Sequence, residues 1–284
     1  MDRYIPGVPC WVDTSRGDPQ AAADFYGELF GWEFDDRMPA GAPGSYLVAR
    51  LRGGDVAAIG SAPDGAAGMA AWNTYVWTDS AAATADRVRA AGGQVVQEPL
   101  DVGDAGRMAV FAAPDGAAFR AWEPRSNRGA TVVNEHGSVN FNDLYTHDPE
   151  GAERFYGAVF GWTTLSMGGG AAMWTLPGYG DHLERLNPGT RERMAELGAP
   201  AGFEDVVATL TTLGEDRADE PSRWGVTFAA DDADAVAERA ERLGGRVLVA
   251  PFDAPWVRMA VIADPDGAAF TASAFVPENQ GVTA

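Results

Sequence analysis

Asp13 and Asp143 stand at the same place in two copies of one pattern, 130 residues apart. A carboxylate repeated in this way suits three tasks: a base, a hydrogen-bond acceptor in a pocket, or a structural cap. The other side chains that commonly do chemistry are sparse. Of the three histidines, His136, His147 and His182, none has the i, i+4 helical spacing of a metal pair, and all three are expected at the solvent. Cys10 is the sole cysteine, which excludes an intrachain disulfide and a thiolate-cluster metal site. No Ser-His-Asp or Cys-His arrangement can be read along the chain.

The elements that must position these residues come from a duplication. Residues 25–32 read Phe-Tyr-Gly-Glu-Leu-Phe-Gly-Trp and residues 155–162 read Phe-Tyr-Gly-Ala-Val-Phe-Gly-Trp. The stretch Arg107–Phe119 returns at Arg258–Phe270 with an offset of 151, so the second copy carries 21 more residues between Trp162 and Trp224. Asp18-Pro19 and Asp148-Pro149 predict helix starts, with Asp as N-cap and Pro in the first turn. Gly31 and Gly161 then suit the left-handed position past the helix end. On these helices Phe25, Tyr26, Phe30 and Trp32, with Phe155, Tyr156, Phe160 and Trp162, are expected in the core. Further helices are predicted from Ala82, Ala85, Val88 and Ala91, ending at Gly92-Gly93, and from Ala233, Val236, Ala240 and Leu243, ending at Gly244-Gly245. Each is preceded by a short strand (72–78, 224–230) and followed by two or three more. The unit of strand, helix and about three strands therefore occurs four times, an α+β fold of tandem βαβββ modules.

Two domains follow, 1–128 and 137–284, joined by a linker at 129–136. The added residues fall in an inserted segment around 168–222. Within it 173–176 reads as a strand, Gly178–His182 as a turn and Glu192–Leu197 as a short helical piece; such an excursion often covers a binding site, and Trp174 and Tyr179 are candidate lid contacts. The net charge of −20 repels phosphate backbones and argues against nucleic acid. No run of apolar residues is long enough for a membrane helix. The first residues lack a charged-then-apolar leader, which predicts a cytoplasmic protein.

The combination of Pro-Cys-Trp-Val-Asp at 9–13, the Asp-Pro helix starts, the Phe-Tyr-Gly-x-x-Phe-Gly-Trp motifs and Pro-Asp-Gly-Ala-Ala-Phe at 114–119 and 265–270 resembles the vicinal-oxygen-chelate (glyoxalase/bleomycin-resistance/dioxygenase) superfamily. Gly178–Asp181, Trp224–Phe228 and Pro251–Trp256 resemble its two-domain actinobacterial members, often labelled glyoxalase-like or hydroxylase. The resemblance implies two half-open barrels, each around a cleft. It also implies a divalent metal held by His, Gln or Glu. The matching positions here are Trp11 and Phe141, Asn73 and Gly225, and Arg120 and Thr271, which supply neither imidazole nor carboxylate. A remaining ligand position lies near Asp55–Ile59 or Asp205–Leu210. The expectation is no metal and no other cofactor.

Ligand positions in this fold face the cleft, so strand neighbours two residues away should line it as well. That selects Trp11 and Asp13; Asn73, Tyr75 and Trp77; and Arg120 and Trp122. In the second copy it selects Phe141, Asp143 and Tyr145; Gly225, Thr227 and Ala229; and Thr271 and Ser273. Indoles with a few orienting polar groups suit a flat organic molecule. The expected function is metal-free binding of an aromatic, polycyclic natural product, for antibiotic sequestration and resistance or as an accessory to a partner oxygenase in antibiotic biosynthesis. The alternative is a cofactor-independent enzyme in which Asp13, Asp143 or Arg120 moves a proton. A metal-dependent glyoxalase or dioxygenase ranks third.

Overall fold

Four helices begin and end where local chemistry says they should. In the computed structural model, which describes residues 3–62, 70–168 and 171–282, α1 runs Pro19–Phe30 and α3 runs Pro149–Phe160. The Asp18 carboxylate accepts from the Ala21 amide and Asp148 from the Gly151 amide, each satisfying a donor that the first turn leaves unpaired. Gly31 and Gly161 close the helices with φ of 75° and 76°. Helix α2 (Ala81–Ala90) is capped by Ser80 and α6 (Ala233–Arg242) by Asp232. On α2 the buried face is Ala81, Thr84, Ala85 and Val88, so Ala82 points outward instead of into the core.

The strands complete four βαβββ modules. The first holds β1 (Pro9–Arg16), α1, β2 (Glu33–Asp36), β3 (Tyr46–Leu51) and β4 (Gly54–Ser61). The second holds β5 (Trp72–Trp77), α2, β6 (Gln94–Val102), β7 (Gly106–Ala112) and β8 (Ala118–Pro124). The third holds β9 (Val139–Thr146), α3, β10 (Thr163–Gly168), β11 (Ala171–Thr175) and β12 (Val206–Thr212). The fourth holds β13 (Arg223–Ala230), α6, β14 (Arg246–Ala254), β15 (Val257–Ala263) and β16 (Ala269–Phe275). Two eight-stranded sheets result, ordered β2-β3-β4-β1-β5-β8-β7-β6 and β10-β11-β12-β9-β13-β16-β15-β14. Both have the same order, as the duplication requires.

By contact the chain divides into two compact units that do not follow chain order. One comprises residues 1–10, 74–129 and 142–224, the other 11–73, 130–141 and 225–284. In the second of these, Phe25, Tyr26, Phe30 and Trp32 pack with Val12, Trp72, Phe228 and Phe270 in one aromatic-rich core. This core also buries an ion pair: Arg16 Nη2 lies 2.5 Å from Asp264 Oδ2, which accepts from the Tyr26 hydroxyl as well, at 2.9 Å. The other unit builds its core from Phe119, Phe155, Tyr156, Trp162 and Trp224, and the Trp224 indole donates to the Tyr156 hydroxyl at 2.8 Å.

The extra residues of the second copy lie between β11 and β12, where the first copy has a tight turn at Arg52-Gly53. Two expectations for this segment are corrected. Gly178–His182 is no turn: Gly178 adopts the left-handed conformation as N-cap of α4 (Tyr179–Leu186), which is followed by α5 (Thr190–Glu196). Trp174 is no lid contact. It is fully buried and packs on Tyr156 and Trp162, at 5.6 Å between ring centroids in each case.

Candidate functional site

Strand alternation on β1 separates two faces. Val12 joins the helix-packed core, while Trp11 and Asp13 point the other way and meet Asn73 and Tyr46. The four form a continuous hydrogen-bond chain. Asn73 Nδ2 donates to Asp13 Oδ1 at 2.8 Å, the Tyr46 hydroxyl donates to Asp13 Oδ2 at 3.1 Å, and Trp11 Nε1 donates to the Tyr46 oxygen at 3.0 Å. The buried carboxylate thus has a donor on each oxygen, the condition for keeping charge out of water at tolerable cost. Asn73 and Tyr46 are half-buried and form the accessible side; Trp11 and Asp13 lie behind them. Tyr46 was missed by sequence reasoning. It lies on β3, outside every repeated motif, and only the β3–β4–β1 pairing brings it across from Asp13.

The other first-copy residues form a second group. The parallel register of β5 and β8 sets Tyr75 beside Arg120 and Trp77 beside Trp122. The Arg120 guanidinium carbon sits 5.5 Å from the Tyr75 ring centre, and Tyr75 meets Trp122 edge-on at 6.3 Å. Trp122 Nε1 donates to the Asn127 carbonyl at 2.9 Å. Trp77 is covered by the Arg128 guanidinium at 5.1 Å and flanked by Tyr4 at 5.9 Å. Trp11, Trp77 and Trp122 are only 5–6% exposed, so the indoles are packed residues and do not form an open wall.

In the second copy Asp143 is buried and accepts from the Thr209 hydroxyl at 2.6 Å. Tyr145 lies beneath two guanidinium groups, Arg223 at 4.6 Å and Arg217 at 5.6 Å. Both arginines pair with Glu220, and the hydrogen bonds from Arg217 hold its carboxyl below the ordinary value. Phe141 is half-buried. Thr227 pairs with Thr271 and Ala229 with Ser273 across β13 and β16, with both threonines and Ser273 buried, and Gly225 opens the same β13 face. His147 is exposed and its Nε2 meets the Glu220 carbonyl at 2.7 Å; His136 is half-buried. The expectation of exposure fails at His182, which is buried with its Nε2–H on the Arg3 carbonyl at 3.1 Å.

These residues do not fit a divalent metal. At the family's positions Trp11 and Asn73 are engaged as donors, Asp13 beside them has both oxygens occupied as acceptors, and Arg120 is itself a cation. Ala58 stands across from Asp13 and Thr209 across from Asp143, and neither is an acid. Among the described residues no group of three or more His, Cys, Asp or Glu is placed to hold a metal ion. Among those residues, too, no helix is long and apolar enough to cross a membrane.

Comparison with known proteins places this geometry in a family. The profile described as Glyoxalase/Bleomycin resistance protein/Dioxygenase superfamily matches residues 11–120 and 138–271. The chain is 41% identical over 271 residues to the putative glyoxylase CFP32 of Mycobacterium tuberculosis, covering 94% of this chain and 95% of that protein. It is 36% identical to the anthracycline biosynthesis protein DnrV of Streptomyces peucetius, covering 95% and 94%. Among solved structures it is similar to the Mn(II)-bound glyoxalase from Novosphingobium aromaticivorans, with a TM-score of 0.59 and 14% identity, over 95% of this chain and 82% of that one. The 2,3-dioxygenase LapB from Pseudomonas sp. KL28 gives 0.59 and 12%, over 95% and 93%. Two matched repeats, two sheets of one strand order and relatives aligned end to end establish that the chain belongs to the Glyoxalase/Bleomycin resistance protein/Dioxygenase superfamily.

Proposed function

We infer that the chain binds a planar, polycyclic aromatic molecule of the anthracycline class without a metal. The observation that carries this reading is the Trp11–Tyr46–Asp13–Asn73 hydrogen-bond chain, in which Trp11 and Asn73 stand at two positions where the resemblance expects metal ligands. A fixed carboxylate behind an amide and a phenol can orient the hydroxyl and carbonyl edge of such a ligand, and the surrounding aromatic side chains supply dispersion. The anthracycline biosynthesis relative supports the ligand class. In the cytoplasm the protein would sequester the compound, giving resistance, or pass it to a partner oxygenase. Elemental analysis of the purified protein, together with fluorescence titration by anthraquinone-type compounds, tests the reading. The expected result is stoichiometric binding in metal-free protein, weakened about tenfold or more by Asn73→Ala or Tyr46→Phe. Binding that vanishes on chelation and returns with a transition metal overturns it.

The Tyr46 hydroxyl on Asp13 favours one second reading, a cofactor-independent enzyme in which this pair moves a proton. Product formation on the same compounds, lost in Asp13→Asn with binding retained, would select it over sequestration.

A further inference from the structure

Arg107 and Arg258 open the same duplicated stretch, each as the second residue of its strand, β7 or β15, yet their surroundings differ. Arg258 is saturated by carboxylates. Its Nε and Nη2 grip the two oxygens of Asp234, in the first turn of α6, with the Nη2 bond at 2.9 Å, and its Nη1 reaches Asp253 at 3.0 Å. Counted from the N-caps Ser80 and Asp232, the residue of α2 that matches Asp234 is Ala82. Asp101 matches Asp253, since each stands across from the arginine in its strand pairing, but Asp101 is taken by Arg125. The first copy thus carries the guanidinium without either of its acids.

Arg107 is half-buried. Its Nε is buried with no hydrogen-bond partner among the described residues, and its Nη2 has one long bond, to the Pro99 carbonyl at 3.4 Å. Nε and Nη2 are the edge with which Arg258 holds Asp234. Arg107 and Ala82 both line a cavity of about 380 Å³ between α2 and strands β6 and β7, within the unit that includes residues 74–129. Ala85 and Pro99 extend its apolar wall. The other charges in the lining are already matched to one another: Arg89 donates to Asp86 at 3.3 Å and to Glu98.

A buried N–H without an acceptor is costly, and a carboxylate fits the planar guanidinium fork with two parallel bonds. Asp86 and Glu98 in the lining repel a doubly charged anion more than a singly charged one, which disfavours phosphate. Ala82, Ala85 and Pro99 suit a short hydrocarbon tail, and the volume lies in the range of small-molecule sites. We propose that this cavity binds a small aliphatic monocarboxylate, which takes on Nε and Nη2 of Arg107 the place that the Asp234 side chain takes on Arg258. The site is independent of the Trp11–Asp13 network and of the reading given to it.

Titration of the nitrogen-15-labelled full chain, followed at the arginine Nε–H resonances, tests the assignment. Arg107→Lys keeps the charge, removes the fork and identifies the Arg107 resonance by its loss. Butyrate is expected to move that resonance saturably, with an affinity about tenfold or more above that of uncharged butyramide or inorganic phosphate. Ala82→Asp returns a carboxylate to the matching helix position. In that variant the resonance should already be shifted without butyrate, and butyrate affinity should fall about tenfold or more. Ala82 is exposed and an acid in the first turn of a helix is favourable, so circular dichroism should be unchanged and the urea midpoint no lower than wild type. Should Arg107→Lys fail to fold, Ala82→Asp decides alone. No saturable shift at millimolar butyrate, or equal affinity for butyramide or phosphate, overturns the proposal. So does a butyrate affinity indifferent to Ala82→Asp.

Discussion

Arg16 and Asp264 show how unequal two halves of one buried ion pair can be. Asp264 keeps three other donors, the Tyr26 hydroxyl and the amides of Asp266 and Ala268, at 2.9–3.1 Å. Arg16 has buried Nε and Nη1 with no hydrogen-bond partner among the described residues. Removing the carboxylate therefore strands a guanidinium, whereas removing the guanidinium leaves a carboxylate still served by three donors. Asp264→Ala is expected to cost about 3–5 kcal/mol, the usual range for an uncompensated buried charge. Arg16→Met should cost at least about 1 kcal/mol less, since the remaining group stays hydrogen-bonded. Urea unfolding of both variants measures this, and the reverse order would refute the asymmetry. At Tyr46, Phe substitution removes a donor from Asp13 and the acceptor of the Trp11 indole, and a loss of about 1–3 kcal/mol is expected in the same assay.

Helix ends are where element-scale predictions are sharpest. Gly161 is left-handed, and a Cβ there would meet nothing within 4 Å. Gly161→Ala should therefore cost only the backbone term of about 1–2 kcal/mol. Asp148→Ala should cost about 1 kcal/mol through the lost N-cap. Helix α4 differs in kind. Its N-cap glycine has no side chain, and its first amides are met by a carboxylate from far along the chain: Asp205 accepts from Gly180 at 2.6 Å and from Gly178 at 3.4 Å. That is why Gly-Tyr-Gly-Asp reads as a turn yet folds as a helix: the cap arrives 25 residues later. Asp205→Ala should speed amide hydrogen exchange in 179–186 more than in α3, and an unchanged α4 would remove Asp205 from this role.

At the scale of the whole molecule, buried phenols and the buried thiol link stability to pH. Burial pushes the Cys10 thiol and the Tyr4, Tyr26 and Tyr156 phenols well above their ordinary values. The folded protein thus keeps protons that the unfolded chain releases near pH 8.5 for Cys and about 10 for Tyr. The stabilisation is complete below those values and is lost as pH rises above them. The urea midpoint should fall steadily from about pH 9 upward, and Cys10 should resist alkylation until the chain unfolds. A midpoint flat to pH 11 would contradict the burial of these groups. The charge of −20 adds self-repulsion that salt should relieve, so the midpoint should also rise with ionic strength.

The duplicated motifs, Asp-Pro caps and closing glycines determined by themselves that four βαβββ modules would form, because caps and periodicity act within a few residues. The period-two rule likewise placed Trp11 and Asp13 on the face opposite Val12, since alternation is a property of one strand. Tertiary structure decided what those side chains touch. Tyr46 reaches Asp13 only through pairing of strands whose register no local pattern encodes, and such pairing likewise put Ala58 beside Asp13 and Thr209 beside Asp143. Packing also settled Trp174, His182 and the three indoles, because an aromatic ring on a strand carries the same local signal whether it lines a cleft or fills a core. The grouping of modules into compact units was hidden for a related reason. Four copies of one amphipathic plan offer several equivalent pairings, and only long-range contacts select among them.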